Sequence, residues 1–360
     1  MTVFNANNTA HLDDNAPLFM GQALGIHDTL NMRHPFYDDL FKLQKSIDWS
    51  EDEIDLSQSR LDFEMVDRSI SDIMIKNLAF QAELDSAACR ATGSLIAPFC
   101  TNSELMRCAT KIQEIEYLHA TTYIEIVRNC LSNPMDFYDE VYKNEKVISR
   151  AKKVVSVFDE IEKLGAKVIL GHKIEDSVIR KSIIKYFAAL YALERIEFMA
   201  SFAATFAIAE RGYFLAIAAL VQKIATDELQ IHVEFDKYTI KQLKLDWPEE
   251  FEQVKKEVVS IIDEVVLSEY EWTNYLFQEG RQVVGLTEQL VKRWVEFNAQ
   301  EVYDDFDIEL PFERIQESPL PWMNQWLDIN ASQNANQEAD ANNYQLNSYI
   351  DDLNDEIVLL

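Results

Sequence analysis

Glu116 and His119 lie three residues apart in a stretch whose apolar residues recur at helical spacing. At that spacing both side chains leave the same face of a helix. A carboxylate and an imidazole placed in this way form half of a dimetal site in a four-helix bundle, where two helices each supply an acid and two each supply Glu-x-x-His. Carboxylate oxygen and imidazole nitrogen suit iron or manganese. Alone, such a pair is a weak signal, because most are surface or capping pairs.

The chain contains the remaining members of such a set, in the order acid, Glu/His, acid, Glu/His. They are Asp85, Glu194, Glu228 and His232. Asp85 and Glu194 stand in apolar surroundings, where an unpaired acid is costly and requires a partner or a metal. The complete set predicts two bound metal ions; we expect iron, with manganese as the alternative.

The elements that must position these residues are predicted to be helices. The chain has only 8 Gly and 8 Pro in 360 residues, and no run alternates as a strand does. Apolar periodicity predicts helices over about 35–47, 67–98, 103–130, 137–164, 176–210, 213–244, 248–277 and 287–304. We therefore predict an all-α bundle with the metals in its core.

Three regions follow from composition. Residues 1–30 are predicted to be an irregular arm and residues 31–327 the helical domain. Residues 328–360 contain no Lys or Arg, are rich in Asn and Gln, and end in the apolar tip Ile357–Leu360. This last region is predicted to be a flexible acidic tail.

Charge and cysteine usage exclude several classes of function. With 33 Lys+Arg against 62 Asp+Glu, the formal charge is −29, so nucleic-acid binding is not expected. The four cysteines form no CxxC pair or disulfide spacing, which predicts a reducing, cytoplasmic location. The N-terminus lacks a signal-peptide pattern, and no window reaches the ~18 apolar residues of a membrane span.

Several segments resemble the small, radical-bearing subunit of class I ribonucleotide reductase. They include Ala79-Phe-Gln-Ala-Glu-Leu-Asp85, Glu116-Tyr-Leu-His119-Ala-Thr-Thr-Tyr123, Leu193-Glu194-Arg-Ile-Glu-Phe198, Ala225-Thr-Asp227-Glu228 and Leu320-Pro-Trp322-Met-Asn-Gln-Trp326. The resemblance covers essentially the whole chain and implies a ferritin-like fold. It also implies that the metal ligands are Asp85, Glu116, His119, Glu194, Glu228 and His232.

The same resemblance gives Tyr123 the role of radical carrier. Tyr123 lies seven residues after Glu116, about two helical turns, and therefore on the ligand face of the helix. We expect the metal centre, oxidised by O₂, to take one electron and a proton from this phenol. Phe198, Phe202 and Ile224 resemble the apolar pocket that protects the radical.

Radical export is also implied by the resemblance. Trp49 is expected to relay charge through Asp227 to His119, and Tyr349 in the tail to pass the radical to a large catalytic subunit. The implied partners are that subunit, which captures the tail, and a second copy of the chain in a homodimer. The chain itself is expected to reduce no bound nucleotide.

One departure from the family concerns His232. It follows Glu228 by four residues, where the family has three, and the position at the family spacing is Ile231. On a regular helix the fourth residue is rotated by about 100° from the third. We predict a π-helical bulge near Leu229–Ile231 that restores His232 to the site.

Two other functions are compatible with the same ligand set. One is a carboxylate-bridged di-iron oxidase that acts directly on an organic substrate and needs neither Tyr123 nor a tail tyrosine. The other is a structural or metal-storage helical protein. Oxygen-dependent radical formation distinguishes both from the leading hypothesis.

Overall fold

The computed structural model of the protein describes residues 2–328. The predicted acidic tail, with Tyr349, lies outside the described residues from 329 onwards. Residues 2–34 are irregular apart from a 3-10 turn at Ala10–Leu12. The described part contains isolated β-bridges but no strand, so the all-α prediction is confirmed. None of its helices is both long and apolar enough to cross a membrane.

The α-helices of residues 2–328 are, in chain order, α1 (Pro35–Ser46), α2 (Ser57–Met65), α3 (Arg68–Ile96), α4 (Ser103–Cys130), α5 (Pro134–Lys143), α6 (Glu145–Arg150), α7 (Lys152–Ile169), α8 (Asp176–Ala192), α9 (Phe198–Ala209), α10 (Leu215–Asp227), α11 (Val233–Asp246), α12 (Pro248–Leu276), α13 (Glu288–Asp305) and α14 (Met323–Leu327). Helices α3 and α12 have 29 residues each, about 43 Å at 1.5 Å per residue.

Two π-helical turns join four of these helices into two long rods. The turn Leu193–Glu197 continues α8 into α9, and the turn Glu228–His232 continues α10 into α11. The predicted bulge in the second rod is therefore confirmed. The first π turn was not predicted. Single π turns inside α-helices are rare and favour functional sites.

Helix α9 is the centre of the bundle. All twelve of its residues are buried, as expected for a helix that is apolar on every side. Helices α3 and α4 pack along each other, and α12 packs along α8. Since α3, α4 and the two π-interrupted rods carry the predicted ligands, the packing of the bundle determines whether those ligands meet.

Several predicted boundaries were wrong for local reasons. The helix predicted over 103–130 is α4 as expected, with Asn102 as its N-cap, whose side chain accepts the N–H of Leu105. The helix predicted over 137–164 is three segments, because Asn144 ends α5 and caps α6. Gly165 does not end α7: it lies inside the helix, where a Cβ would come within 2.9 Å of Pro98 Cγ.

Helix α2 was not predicted, yet it secures the start of α10. Its buried Asp62 accepts the backbone N–H of Phe214 at 2.7 Å. Phe214 has a positive φ of 57°, which is unusual for a bulky residue and needs such support.

Candidate metal centre

The six predicted ligands converge in the core as two overlapping groups. Asp85, Glu116, His119 and Glu228 form one, and Glu116, Glu194, Glu228 and His232 form the other, each with its ligand atoms within 4.8 Å of one another. We call these the first and second metal positions. Glu116 and Glu228 belong to both positions. Two shared carboxylates with two further ligands at each end are what a carboxylate-bridged pair of ions requires.

The ligands come from α3, from α4 and from the two π-interrupted rods. Asp85 is on α3, and Glu116 and His119 are on α4. The private ligands of the second position, Glu194 and His232, both lie in π turns. All six side chains are at most 2% exposed.

The two histidines face the shared carboxylates through the same nitrogen. His119 Nδ1 lies 3.1 Å from Glu228 Oε1 and 3.7 Å from Glu116 Oε2. His232 Nδ1 lies 3.0 Å from Glu116 Oε1 and 2.9 Å from Glu228 Oε2. The two rings are 5.7 Å apart between centroids. With the π turn, His232 therefore points into the cluster despite its shifted spacing.

Burial and neighbouring charges shift the pKa values of the carboxylates in different directions. Burial, followed by the charges of Glu116 and other neighbours, raises the pKa of Asp85 well above its ordinary value. Burial and the charges of Glu228 and Glu116 do the same to the pKa of Glu194. Burial opposes ionisation of Glu228 too, but the His232 charge and hydrogen bonds outweigh it and lower its pKa.

The histidines hold protons that metals would displace. Burial alone would lower their pKa values, but the neighbouring carboxylates more than offset it. The pKa of His232 is raised to about 10 by Glu228 and Glu116. The pKa of His119 is raised well above its ordinary value by Asp227, Glu116 and Glu228.

The donor set fits two divalent ions. Buried ligand atoms without a hydrogen-bond partner among residues 2–328 are both oxygens of Asp85, both oxygens of Glu116, His119 Nδ1, Glu194 Oε2 and Glu228 Oε1. Unpartnered buried polar atoms are rare in native proteins and require an explanation such as an ion. Hard oxygens with imidazole nitrogen match iron or manganese.

Tyr123 lies beside the first position. It is fully buried, and its hydroxyl has no hydrogen-bond partner among the described residues apart from an interaction with the Asp85 carboxyl. Burial and then the nearby Asp85 charge raise its pKa well above the ordinary value, so the phenol is protonated. Tyr186 and Tyr37 are also fully buried, but their hydroxyls are engaged, by the carbonyls of Ala91 and Thr92 and by Thr239.

A hydrogen-bonded path leads from the first position towards the surface. His119 Nε2 lies 3.1 Å from Asp227 Oδ2, and the same oxygen accepts the indole N–H of Trp49 at 2.7 Å. The Trp49 and His119 rings are nearly parallel, at 21°, with centroids 6.1 Å apart. Trp49 is 8% exposed and so is the outermost member of this path.

Comparison with known proteins gives the family of this site. The model of the family described as "Ribonucleotide reductase, small chain" matches residues 27–319. The chain belongs to this family. It is the small subunit of a class I ribonucleotide reductase, and therefore works with a large subunit.

Individual relatives agree over nearly the full length. The small subunit is 27% identical over 369 residues to ribonucleoside-diphosphate reductase 1 subunit beta of Escherichia coli O157:H7, covering 97% of each chain. Among solved structures it resembles the ribonucleotide reductase R2 subunit from Clostridium botulinum, with TM-score 0.80, 18% identity and coverage of 91% of this chain and 98% of that one. A dimanganese(II) protein from Streptococcus sanguinis gives TM-score 0.66 at 16% identity, covering 86% and 100%.

The predicted radical pocket lies in the same core as Tyr123. Phe198, Phe202 and Ile224 have no exposed surface and belong to one apolar cluster with Tyr123. The Phe198 and Phe202 rings stack with centroids 5.7 Å apart. The buried group of Asp, Glu and His side chains is, as a whole, a dimetal carboxylate site. The role of each residue remains a prediction.

Two residues of the site were missed. Gln44, fully buried on α1, donates its side-chain N–H to Asp227 Oδ1 at 2.8 Å. No sequence signal connects it to Asp227, which lies 183 residues away. Asp236, buried on α11, lies four residues after His232, and that spacing could have identified it.

Proposed function

We propose that this small subunit generates and stores a tyrosyl radical on Tyr123 and passes it to the large subunit for the reduction of ribonucleoside diphosphates. The observation that carries the proposal is Tyr123 itself: a fully buried phenol whose hydroxyl lies beside Asp85 of the dimetal site and is engaged by no backbone group among the described residues. The hydroxyl of Tyr186 is instead committed to the carbonyls of Ala91 and Thr92, and neither carbonyl can take its proton.

The proposed metal ligands are Asp85 and His119 at the first position, Glu194 and His232 at the second, and Glu116 and Glu228 between them. Two iron ions, once oxidised by O₂, would supply the one-electron oxidant. Manganese is the alternative, and the dimanganese(II) form of the structurally similar Streptococcus sanguinis protein supports it.

The surroundings of Tyr123 favour the loss of an electron and a proton together. Its raised pKa keeps the phenol neutral until it is oxidised. The oxidised metals would supply the acceptor for one electron, and the phenolic proton would pass to the Asp85 carboxylate, which is ionised once it holds an ion, so that a neutral radical would remain. The buried walls that include Phe198, Phe202 and Ile224 offer no exposed, exchangeable group and so protect it.

Export is proposed to run through His119, Asp227 and Trp49. Asp227 holds both partners on one oxygen, at 3.1 and 2.7 Å, so the shared proton and the charge can move in step. Gln44 occupies the other oxygen and fixes the orientation of the carboxylate. Tyr349, in residues 328–360, is proposed as the tail carrier that meets the large subunit.

A homodimer is proposed as the working form of the small subunit. The support is that the N-terminal segment, α1 and α4 adjoin and that each carries an exposed apolar side chain: Ile26, Leu43 and Tyr117. Sedimentation of the full chain is expected to give a dimer, and a monomer at working concentration would exclude it.

The test of the central proposal is electron paramagnetic resonance after Fe(II) and O₂ are added to the full chain. Wild type is expected to give a tyrosyl signal, and Tyr123→Phe to give none while it still binds metal. Tyr186→Phe is the matched control, because that tyrosine is equally buried but its hydroxyl is engaged, and it is expected to keep the signal. A signal that survives Tyr123→Phe would refute the role of Tyr123.

A further inference from the structure

Asp236 is a buried acid whose partner the structure does not show directly. It lies on α11, is 1% exposed, and neither of its carboxylate oxygens has a hydrogen-bond partner among the described residues. Burial raises its pKa well above the ordinary value, and the His232 charge opposes that rise. A buried carboxyl without a partner is costly, so its presence here requires an explanation.

The groups that interact electrostatically with Asp236 leave one candidate partner. They are Glu116, Glu194, Glu228, His232 and Tyr186. Three are carboxylates of the metal site, which are ionised once they bind ions and then cannot donate a hydrogen bond. The Tyr186 hydroxyl is taken by the carbonyls of Ala91 and Thr92, at 3.3 and 3.2 Å. His232 remains.

His232 has a free donor in the complementary position. Its Nδ1 faces Glu116 and Glu228, while its Nε2 is buried and has no hydrogen-bond partner within residues 2–328. Residues four apart on a helix lie on the same face, one turn from each other. The structure thus leaves two unpartnered polar groups, the Nε2 of His232 and the Asp236 carboxyl, on one helix face.

The first metal position already shows this arrangement completed, since His119 Nε2 lies 3.1 Å from Asp227. Histidines that bind metals almost always donate their second N–H to such a group, which fixes the tautomer and the ring orientation. We propose that Asp236 is the positioning carboxylate of His232, accepting its Nε2–H directly or through one water. This rests on the proposed role of His232 as a metal ligand.

The two carboxylates differ in what lies beyond them. Asp227 also accepts hydrogen bonds from Trp49 and Gln44, so it connects His119 to the surface. Asp236 accepts none from the described part of the chain. Asp236 is therefore a positioning residue for the second position and has no part in radical export.

The experiment is a titration of the metal-free full chain with Mn(II), in which free Mn(II) is counted by electron paramagnetic resonance. Wild type is expected to bind two ions. Asp236→Ala is expected to weaken one of the two by about 10- to 100-fold and leave the other unchanged. Asp236→Asn keeps an acceptor oxygen and is expected to lose less.

Controls separate positioning from a general structural role. Asp62 is a buried acid that accepts the backbone N–H of Phe214 and lies outside the metal site. In Asp62→Asn the affinities for both Mn(II) ions are expected to stay at wild-type values. In a His232→Ala background, Asp236→Ala is expected to cause no further loss, because a residue that acts through His232 has nothing left to position. Thermal unfolding of the metal-free variants is measured alongside, so that a loss of affinity is read only from folded protein.

The outcomes distinguish this inference from the proposed function. If wild type binds two ions and Asp236→Ala binds both with wild-type affinity, the inference is wrong and the ligand assignment stands. A further loss in the His232→Ala background also overturns it. If wild type binds fewer than two ions, the ligand assignment fails and the inference fails with it.

Discussion

The two metal positions use the same kinds of ligand but have different surroundings. The first position has Tyr123 beside Asp85, and its histidine is linked through Asp227 to Trp49 near the surface. The second position has both of its unshared ligands in π turns, and the carboxyl that interacts with its histidine, Asp236, has no hydrogen-bond partner among residues 2–328. This difference is what the proposed function requires, in which electrons and protons would pass through the first position while the second would hold its ion.

Replacing a shared ligand should have the largest effect on the number of ions that the two positions bind. Glu228→Gln is expected to reduce Mn(II) binding from two ions to none, because Glu228 belongs to both positions. Asp85→Asn is expected to remove only the ion at the first position, since Asp85 belongs to that position alone. Stoichiometry by calorimetry checks both. An Asp85→Asn protein that binds no ion would show that the two positions do not form independently.

Breaking the path at Trp49 should separate radical storage from radical use. Trp49→Phe loses the indole N–H that Asp227 accepts, so turnover with the large subunit is expected to fall by about 100-fold. The tyrosyl signal of Tyr123 is expected to form as in wild type. Trp272→Phe is the matched control, because that buried indole N–H has no partner among residues 2–328. Equal losses of turnover in both variants would contradict the proposed path.

The affinity of the site for metal ions should rise with pH. The pKa of His232 is raised to about 10, and burial and neighbouring charges raise that of Asp85 and Glu194, so the metal-free site carries protons at neutral pH. Ligand atoms must lose these protons to bind an ion. The apparent affinity for Mn(II) is therefore expected to rise with pH between 6 and 8, by about tenfold per pH unit for each proton released.

The released protons can be counted directly. Calorimetric titrations in two buffers of different ionisation enthalpy give the number released per ion, which is expected to be at least one at the second position. An affinity that is constant over the same pH range would mean that the metal-free site is already deprotonated.

Deleting Gln230 should have the smallest effect. It would bring His232 to three residues after Glu228, the family spacing, and let the π turn Glu228–His232 return to a regular α-helix. A π turn accommodates its extra residue within a single turn, so the deletion should leave the packing of α11 unchanged. Two ions are expected to bind, with a thermal midpoint within about 4 °C of wild type. Loss of the second ion would show that His232 depends on the π geometry itself.

Local regularities made much of this protein predictable. Helical spacing alone placed Glu116 and His119 on one face, and a one-residue departure from the family spacing after Glu228 was enough to predict the second π turn. Both signals lie in a few neighbouring residues, although the second also needed the family spacing for comparison. Boundaries that depend on capping or close approach, such as those at Asn144 and Gly165, were wrong because several polar or small residues fit each role locally.

The sequence by itself thus determined the helical class, the types and order of the candidate ligands, and the spacing of Tyr123 from Glu116. Only the tertiary structure decided which carboxylates are shared and which histidine is linked to Trp49. Gln44 and Trp49 reach Asp227 across 183 and 178 residues, and only the packed core shows that Asp236 is buried with no hydrogen-bond partner among residues 2–328. These are consequences of packing, because a helix face specifies a direction but not the group that meets it there.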